Sequence, residues 1–326
     1  MKSKILITGA SGFLGFHLIN EARKRDLEVY AGVRKSSDVS HLDSHFVHLN
    51  YDSVEELSGL LSGHNFDYII HAAAITRSKD PAVYERVNVQ YAENLALAAA
   101  RQPGLKSFVF VSSLAAVGPV SYHAPRLTEN APKNPVTGYG KSKQRAEEAL
   151  LKIQGLPLTV IRPTAIYGPR EKDLLVLFRT IIVGLDMYIG RKPQKLTFIH
   201  GEDAANALLN AAQKPFEQVC TFNLTDGNTY SRYAIADIIG EVTGRKALRV
   251  HLPAGTVKAA AGMLEFLYRW SDKYPVLYRE RINEVTAESW DCDTERLRKE
   301  LDFTPKYNLE SGLIETIQWY FMEKWL

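Results

Sequence analysis

Three evenly spaced glycines directly after an apolar run constrain the fold of this chain more than any other feature. The stretch ILITGASGFLG places Gly9, Gly12 and Gly15 between that run and a helical pattern that covers 14–25. Glycine loses more backbone freedom on folding than any other residue. Its repeated use here indicates that the turn between the strand and the helix requires residues that have no side chain.

A strand, a glycine-rich turn and a helix together form a binding site for phosphate groups. The first glycine permits the tight turn, the second lets a pyrophosphate approach the backbone, and the third lets helix and strand pack closely. The helix N-terminus adds unpaired N–H groups and a partial positive charge. The alternative is a glycine-rich surface turn. Such a turn would not require a strand before it and a helix after it, and this chain has both patterns. The predicted dinucleotide contacts are Gly9, Ser11, Gly12, Phe13, Leu14 and Gly15.

Short apolar runs alternate with helical patterns throughout the first half of the chain. The apolar runs cover 4–8, 28–33, 45–50, 67–74, 107–113 and 158–163. The helical patterns cover 14–25, 53–62, 81–101 and 138–153. Runs that are apolar throughout suit strands buried on both faces. The alternation therefore predicts an α/β fold with a Rossmann-type, doubly wound parallel sheet.

The pattern becomes mostly helical after Gly168, which predicts two domains. We expect an NAD(P)-binding Rossmann domain at 1–168 and a smaller, mostly helical substrate-binding domain at 169–326. The chain is expected to return to the first domain at about 197–229, so the second domain is discontinuous. The tail has Leu309, Leu313, Ile317 and Phe321 at helical spacing, which predicts an amphipathic helix that docks through these residues.

Composition limits the possible partners. A formal net charge of +3 gives no reason to expect nucleic acid binding. The apolar segments are too short or too charged to span a membrane, and the first residues lack the pattern of a secretory signal. Two cysteines cannot build a disulfide framework, so we expect a cytoplasmic protein. The histidines and cysteines show no metal-ligand spacing, so we expect a small-molecule substrate and no metal.

The residue after the second predicted strand bears on the choice of dinucleotide. Arg34 lies about 20 residues beyond the glycines, where an acidic residue would bind a free ribose 2′-hydroxyl. An arginine favours a 2′-phosphate through paired, charge-assisted hydrogen bonds. The sequence therefore predicts NADP(H). NAD(H) is the alternative, since Arg34 can be an ordinary surface residue and Asp38 can reach a ribose.

Two further segments carry groups suited to proton transfer. Tyr139 and Lys143 are four residues apart, which places them on one face of a helix. A lysine ammonium near a phenol lowers the phenol pKa, so that the tyrosine can exchange a proton with a substrate. Ser112 and Ser113 end a buried strand, where either can bind a carbonyl oxygen as charge develops on it. Alternatively, the pair is coincidental and the serine caps local backbone.

With these residues the chain resembles the extended short-chain dehydrogenase/reductases of the NAD-dependent epimerase/dehydratase family. The segments TGASGFLG, HAAA, SSLAAVG, YGKSK, IRPTAIYGP and FIHGEDAANAL are similar to that family's landmarks, in order along the chain. The resemblance implies that Tyr139 is the catalytic acid/base. It implies that Lys143 lowers the pKa of Tyr139 and binds the nicotinamide ribose, and that Ser113 polarises the reacting carbonyl.

The same resemblance implies the remaining cofactor contacts. Asp52 would contact the adenine, with a helix N-cap as the alternative role. Asn88 would support a helix near the site. The other implied contacts are Ala72, Ala73 and Ala74 beside the cofactor, and Pro163 and Ile166 near the nicotinamide. A homodimer formed by the helices at about 81–101 and 138–153 is also implied.

The residues after the catalytic serine select a branch of this family. Dehydratases place at least one glutamate there, whereas this chain has Leu114 and Ala115, so dehydration is not expected. SSLAAVGP and Arg34 are closer to the dihydroflavonol reductase-like and 3β-hydroxysteroid dehydrogenase-like branch. We therefore expect an NAD(P)-dependent oxidoreductase that transfers a hydride between the nicotinamide and a carbonyl or secondary alcohol. A nucleotide-sugar epimerase that retains NAD is the alternative, and a non-catalytic NAD(P)-binding regulator is the third hypothesis.

Overall fold

A computed structural model describes residues 2–326 of the protein except Ser36, His41, Pro215, Trp270 and 272–277. The strands are β1 (Lys4–Thr8), β2 (Glu28–Val33), β3 (His45–His48), β4 (Tyr68–His71), β5 (Ser107–Val111), β6 (Leu158–Pro163), β7 (Ala165–Tyr167), β8 (Leu185–Ile189), β9 (Lys195–Leu196), β10 (Phe198–His200), β11 (Cys220–Leu224), β12 (Tyr230–Ser231) and β13 (Leu248–Leu252). The helices are α1 (Phe13–Lys24), α2 (Val54–His64), α3 (Pro81–Tyr84), α4 (Tyr91–Ala100), α5 (Gly138–Leu150), α6 (Leu175–Ile182), α7 (Gly201–Gln213), α8 (Ala234–Thr243), α9 (Ala254–Leu267), α10 (Arg279–Val285), α11 (Glu295–Glu300) and α12 (Leu309–Met322). Within the described residues no helix is both long and apolar enough to cross a lipid bilayer.

Seven strands form one parallel sheet in the order β11-β6-β5-β4-β1-β2-β3. Six of these strands are the six apolar runs of the first half of the sequence. The strand order reverses at β1, which leaves a crevice between the carboxyl ends of β1 and β4. The predicted Rossmann-type parallel sheet is confirmed.

The sheet is buried on both faces because its central strands carry apolar residues at successive positions. Ile5 and Ile7 pack into the core that α1 and α7 cover. Leu6, between them, packs into the opposite core with residues of α2, α4 and α5. This arrangement explains why the strands lack the apolar–polar alternation of a half-exposed sheet.

The glycine turn after β1 has no room for side chains at two positions. Gly9 has φ +69°, and a Cβ there would lie 2.8 Å from the backbone of Ala72, just after β4. A Cβ on Gly15 would lie 2.3 Å from the carbonyl oxygen of Gly9. Gly9 therefore permits the turn and its approach to β4, and Gly15 permits the close packing of α1 on the turn.

The predicted helix at 81–101 is interrupted, which corrects the expectation of one continuous helix. It consists of α3, a π-helical segment at Glu85–Gln90, and α4. The π segment holds Asn88, whose side chain bonds the backbone N–H and C=O of Ile75 at 2.8 and 2.9 Å. A widened helical turn of this kind often occurs at a functional site.

Part of the second half of the chain joins the first-half sheet. β11 pairs with β6 at the sheet edge, and α7 packs against α1. Residues within 197–229 therefore lie with the dinucleotide-binding half of the molecule. α11 also packs on β11, a return of the chain that the sequence did not indicate. The division into domains at 168 stays a prediction.

The C-terminal helix α12 docks through a face that differs slightly from the predicted one. Leu309, Leu313 and Ile317 are buried as expected, but Phe321 is 51% exposed and Tyr320 is buried instead. The Tyr320 hydroxyl donates to the carbonyl oxygen of Glu171 at 2.6 Å. That hydrogen bond pairs the Tyr320 hydroxyl, which burial would otherwise leave without a partner. Tyr320 can therefore take the buried position, and Phe321 faces solvent.

We expect Gly15→Ala to destabilise the protein and Gly59→Ala, its control, to stabilise it. The first change forces a methyl group against the Gly9 carbonyl oxygen, which should lower the free energy of unfolding by about 1–3 kcal/mol. The second lies in α2 with nothing within 4 Å of the new Cβ, and should raise it by about 0.5–1 kcal/mol. Urea unfolding followed by circular dichroism measures both. A Gly15→Ala protein as stable as the wild type would contradict the packing described for the turn.

Candidate active site

Three cavities adjoin at the carboxyl edge of the sheet. The loop cavity, of about 320 Å³, lies at the glycine turn and includes Gly12, Arg34 and Ala73. The central cavity, of about 360 Å³, includes Lys143 and Ile166. The outer cavity, of about 510 Å³, extends over the second half of the chain.

The three cavities share walls. The loop and central cavities share Leu14, Ala72 and Ala74, whereas the central and outer cavities share Ser113, Tyr139 and Pro163. Because neighbouring cavities share walls, they form one continuous cleft.

The loop cavity suits the diphosphate of a dinucleotide. It is lined by ten of the predicted cofactor contacts, namely Gly9, Ser11, Gly12, Phe13, Leu14, Gly15, Arg34, Ala72, Ala73 and Ala74. Helix α1 begins at this cavity with Gly12 as its N-cap, no side-chain cap and no acidic residue in its first turn. Its first N–H groups can therefore bind an anion. The residues present fit a nicotinamide dinucleotide.

The far end of the loop cavity contains aromatic residues that the sequence analysis did not identify. Tyr51 is buried and stacks on Tyr91 with ring centroids 5.2 Å apart, and both line the cavity. Asp52 lies outside it and accepts from Arg86 Nη2 at 3.1 Å. The alternative role of Asp52 as a helix N-cap is wrong, because Ser53 caps α2 by accepting from the Glu56 N–H.

Arg34 directly follows β2 and is exposed at the rim of the loop cavity. Its backbone N–H donates to Ser37 Oγ at 3.2 Å, and Ser37 lines the same cavity. The Arg34 guanidinium has no ion-pair partner among the described residues. It is therefore a cation available to a ligand in this cavity.

The two candidate serines have different roles. Ser112 is buried, and its hydroxyl donates to Glu147 Oε1 at 2.5 Å, away from the cleft. Ser113 lines the central and outer cavities. Its Oγ accepts from the Ala115 N–H at 3.1 Å, as the capping alternative anticipated, and Tyr139 lines the same two cavities. Ser113 is therefore the serine that can meet a substrate.

Tyr139 and Lys143 lie in the first turns of α5 and face the cleft together. Lys143 is 2% exposed, and its ammonium donates to the Val111 carbonyl oxygen at 2.7 Å. It also lies 4.7 Å from the centroid of the Phe110 ring. Burial lowers the pKa of Lys143 to about 7, partly offset by the negative charge of Glu147.

The expected lowering of the Tyr139 pKa is wrong for this structure. Burial raises the pKa of Tyr139 to about 12, against a lowering contribution from the Ser113 hydrogen bond. The negative charge of Glu284 raises it further. Burial, which disfavours the charged phenolate, is the main cause. Lys143 does not offset it, because its ammonium is directed at the Val111 carbonyl oxygen.

A hydrogen-bonded chain fixes the turn of α5 that carries Tyr139. Asn88 Nδ2 donates to Ser142 Oγ at 2.9 Å, and the Ser142 hydroxyl donates to the Tyr139 carbonyl oxygen at 2.7 Å. Asn88 is thus a positioning residue, as the family resemblance implied. Asn88 lies in the π segment, so the irregular part of that helix is a part that contacts α5.

Glu147 is the centre of a buried charge network beneath the strand ends. Arg162 donates to both of its carboxylate oxygens, at 2.9 and 2.7 Å, and Lys133 donates to Oε2 at 2.7 Å. Burial by itself would raise the pKa of Glu147, but Arg162 and Lys133 hold it below its usual value. The sequence pattern alone did not indicate a role for Glu147, although it follows Lys143 by one helical turn.

The fold also brings acidic residues that the sequence analysis did not place near Tyr139. Glu284 of α10 lines the central and outer cavities, as does Asp173. Arg77 pairs with Asp173 at 2.7 Å, and Arg281 lies 3.5 Å from Glu284. Carboxylates therefore lie in the same cavities as Tyr139, although the residues directly after Ser113 are not acidic. Within the described residues no group of three or more potential ligands is arranged for a metal ion.

Comparisons with known proteins agree with this geometry. The model of the NAD dependent epimerase/dehydratase family matches residues 5–225. Sterol-4-alpha-carboxylate 3-dehydrogenase ERG26, decarboxylating, of Saccharomyces cerevisiae is 24% identical, with 97% of each chain covered. N-acetyl-alpha-D-glucosaminyl-diphospho-ditrans,octacis-undecaprenol 4-epimerase of Escherichia coli O157:H7 is 25% identical, with 99% of this chain and 96% of that protein covered. The solved structure of MoeE5 in complex with UDP-glucose and NAD has a TM-score of 0.78 at 23% identity, with 99% and 100% of the two chains covered.

These relatives are named for different reactions, a dehydrogenation with decarboxylation and an epimerisation. Their names therefore leave the reaction of this chain open. The family model covers well over half of the chain and includes the glycine turn, Ser113, Tyr139 and Lys143. The chain accordingly belongs to the NAD-dependent epimerase/dehydratase family, the extended short-chain dehydrogenase/reductases.

Proposed function

We propose that this protein is an NADP(H)-dependent oxidoreductase that interconverts a carbonyl group and a secondary alcohol. One observation carries the proposal: Ser113 and Tyr139 line both the central cavity, which contains Lys143, and the larger outer cavity. A substrate in the outer cavity would thus present its reacting oxygen to two hydroxyl groups beside the cofactor region. When bound, the nicotinamide supplies or accepts the hydride.

The protonation states of the site suit the reductive direction. A pKa of about 12 keeps Tyr139 protonated at neutral pH, so it can donate its proton to the oxygen that becomes the alcohol. The Ser113 hydroxyl, with Oγ held by the Ala115 N–H, can donate to the same oxygen as its negative charge develops. Proton transfer leaves Tyr139 as a phenolate, which the positive charge of a protonated Lys143 in the same cavity would stabilise.

The outer cavity favours an apolar substrate. Its walls are formed largely by the apolar side chains of Leu114, Leu174, Leu177, Met187, Ile189, Leu196, Phe198, Ile235, Val285 and Trp290. Cavities of several hundred Å³ with apolar walls and a few polar groups bind small organic ligands. The apolar walls give the hydroxyl groups of a sugar few hydrogen-bond partners, although Arg232 and Gln194 also line this cavity. This is the reason for preferring a reductase.

The second candidate is an epimerase that oxidises and re-reduces its substrate with a retained cofactor. The E. coli relative named as a 4-epimerase favours it, as does the presence of the same three residues that hydride transfer requires. The two functions differ in cofactor use, because a reductase consumes one NADPH per carbonyl and an epimerase consumes none. Loss of NADPH absorbance with a panel of apolar ketones would indicate the reductase, whereas conversion of UDP-glucose to its 4-epimer without net cofactor consumption would indicate the epimerase. No turnover of any compound would favour the non-catalytic regulator.

Tyr139→Phe tests the assignment of the proton donor. Removing the hydroxyl should lower kcat by about 100- to 10,000-fold, because general acid–base catalysis contributes that much. The Kd for NADPH, measured by fluorescence, should change little. Tyr122→Phe is the control, since its hydroxyl has no hydrogen-bond partner within the described part of the chain and Tyr122 lines none of the three cavities. Near wild-type turnover by Tyr139→Phe would contradict the mechanism.

Arg34→Ala tests the cofactor preference. Loss of the charge-assisted hydrogen bonds to a 2′-phosphate should weaken NADPH binding by about 10- to 100-fold. NADH, which lacks that phosphate, should bind as before. Arg23→Ala is the control, because it removes an exposed arginine of α1 that pairs with Asp43 rather than facing the cavity. A wild-type protein that binds NADH more tightly than NADPH would overturn the preference.

Lys143→Met tests the burial of the lysine through the pH dependence of stability. Lys143 has a pKa of about 7 in the folded protein against 10.5 for the unperturbed group, so between these values the unfolded state binds the extra proton. Its contribution to the free energy of unfolding should therefore rise between pH 7 and 9, by on the order of 2 kcal/mol. Urea unfolding of both proteins at the two pH values measures the difference. An identical pH dependence in the variant would contradict the low pKa.

A further inference from the structure

Among the residues that the structure describes, Arg232 is the one deeply buried cation that lines the outer cavity, at 8% exposure. It lies between β12 and α8, on the wall formed by the second half of the chain. Burial lowers the pKa of its guanidinium, but an arginine remains charged at any physiological pH. A buried charge is costly unless other groups compensate it, so its partners need to be accounted for.

The protein satisfies only part of the hydrogen-bonding capacity of Arg232. Nη1 donates to the Lys192 carbonyl oxygen at 2.7 Å, and Nη2 donates to the Ile189 carbonyl oxygen at 2.9 Å. A guanidinium has five N–H donors, and Nε is buried with no partner. Two neutral carbonyl groups and three unused N–H bonds leave this group incompletely satisfied.

No carboxylate pairs with Arg232 within the described part of the chain. Asp186, on the adjacent strand β8, instead accepts from Arg249 Nε at 2.8 Å. Arg232 and Arg249 lie against the same two rings, Tyr188 and Tyr233, with the guanidinium carbons 4.2 to 5.8 Å from the ring centroids. Asp186 is thus the ion-pair partner of Arg249 and acts on Arg232 only through its more distant negative charge. The direct contacts of Arg232 are the two carbonyl oxygens and the aromatic faces.

The other charged groups of the outer cavity are already matched. Asp173 pairs with Arg77 at 2.7 Å, and Glu284 lies 3.5 Å from Arg281. The positive charge of Arg232 is therefore the one that a ligand would neutralise. Apolar side chains around it include Ile189, Ile235 and Ala236, and the uncharged polar residues Tyr188 and Gln194 also line the cavity.

We propose that the outer cavity binds an apolar molecule that carries an anionic oxygen group, of carboxylate type, and that Arg232 is the residue that binds this group. The inference rests on the proposed function in one respect, since it identifies the class of substrate whose carbonyl would reach Tyr139. Arg232 is a specificity-determining residue in this account and takes no part in proton or hydride transfer. The apolar walls would bind the body of the molecule, and Arg232 would select its charged end.

Two ligands of the same shape test the proposal by binding alone. 2-Naphthoate and 2-naphthamide differ in charge and share their ring system, so titration calorimetry of the wild-type protein with NADPH present compares the charge directly. We expect naphthoate to bind at least about 10-fold more tightly, the ratio given by one charge-assisted hydrogen bond. Equal affinity in the wild-type protein would overturn the proposal without any variant.

Variants then locate the charge that is responsible. Arg232→Met should reduce the preference for naphthoate to less than about two-fold, and Arg232→Lys should retain part of it. Arg191→Met is the control, because it removes an exposed arginine that does not line the cavity. A preference that survives in folded Arg232→Met, or that Arg191→Met abolishes equally, would also overturn the proposal.

The same titrations separate this proposal from the proposed function. Tyr139→Phe should keep the preference for naphthoate while it loses turnover. If the wild-type protein prefers naphthoate but reduces no ketone, the oxidoreductase proposal fails and the anion site remains. If ketones are reduced but naphthoate and naphthamide bind equally, the anion site fails and the oxidoreductase proposal remains.

Discussion

The close approach of the turn after β1 to the end of β4 is the constraint on which the cleft depends. A Cβ on Gly9 would lie within 2.8 Å of the Ala72 backbone, and one on Gly15 within 2.3 Å of the Gly9 carbonyl oxygen. Because both contacts are between backbone atoms, no side-chain adjustment can relieve a substitution. The contact sets how near the uncapped N-terminus of α1 lies to β4, and thus the width of the loop cavity. The binding of a dinucleotide is in this sense a consequence of backbone packing.

Buried polar groups hold the segments that carry Ser113 and Tyr139 together at the edge of the sheet. Glu147 accepts from Ser112, Arg162 and Lys133, so that it ties β5, β6 and α5 together beneath the site. Breaking one partner of such a network leaves a buried charge unpaired, which is strongly destabilising. Ser112 is thereby committed to structure, and Ser113, the next residue, remains for the substrate. Adjacent residues with the same side chain thus acquire different roles through their hydrogen-bond partners alone.

The sequence predicted the local features of the fold well because these depend on short-range patterns. The six first-half strands, α1 and α5 follow from apolar runs and spacing, and the loop cavity contains the predicted glycines. Asp52 and Tyr51 show the limit: neighbours in sequence, they differ in position because Tyr51 packs into the core and Asp52 pairs with Arg86. Glu284 and Arg232 lie more than 90 residues beyond Tyr139, and only the tertiary fold brings them to one cavity. The pKa of Tyr139 likewise depends on its burial. The four-residue spacing of Tyr139 and Lys143 does not predict how deeply either residue is buried.

The cleft has an arginine near each end. Their surroundings determine how strongly the positive charge of each one attracts an anionic group of a ligand. Arg34 is exposed at the rim of the loop cavity, where water and salt screen its charge and its contribution comes chiefly from hydrogen-bond geometry. Arg232 is buried in an apolar wall, where the effective dielectric is lower and the same charge acts more strongly. The cost of burying Arg232 is paid when the chain folds, so a matching anion gains the interaction without that cost. A neutral ligand of equal shape gains only apolar contact, and the discrimination between the two arises from the folding of this wall.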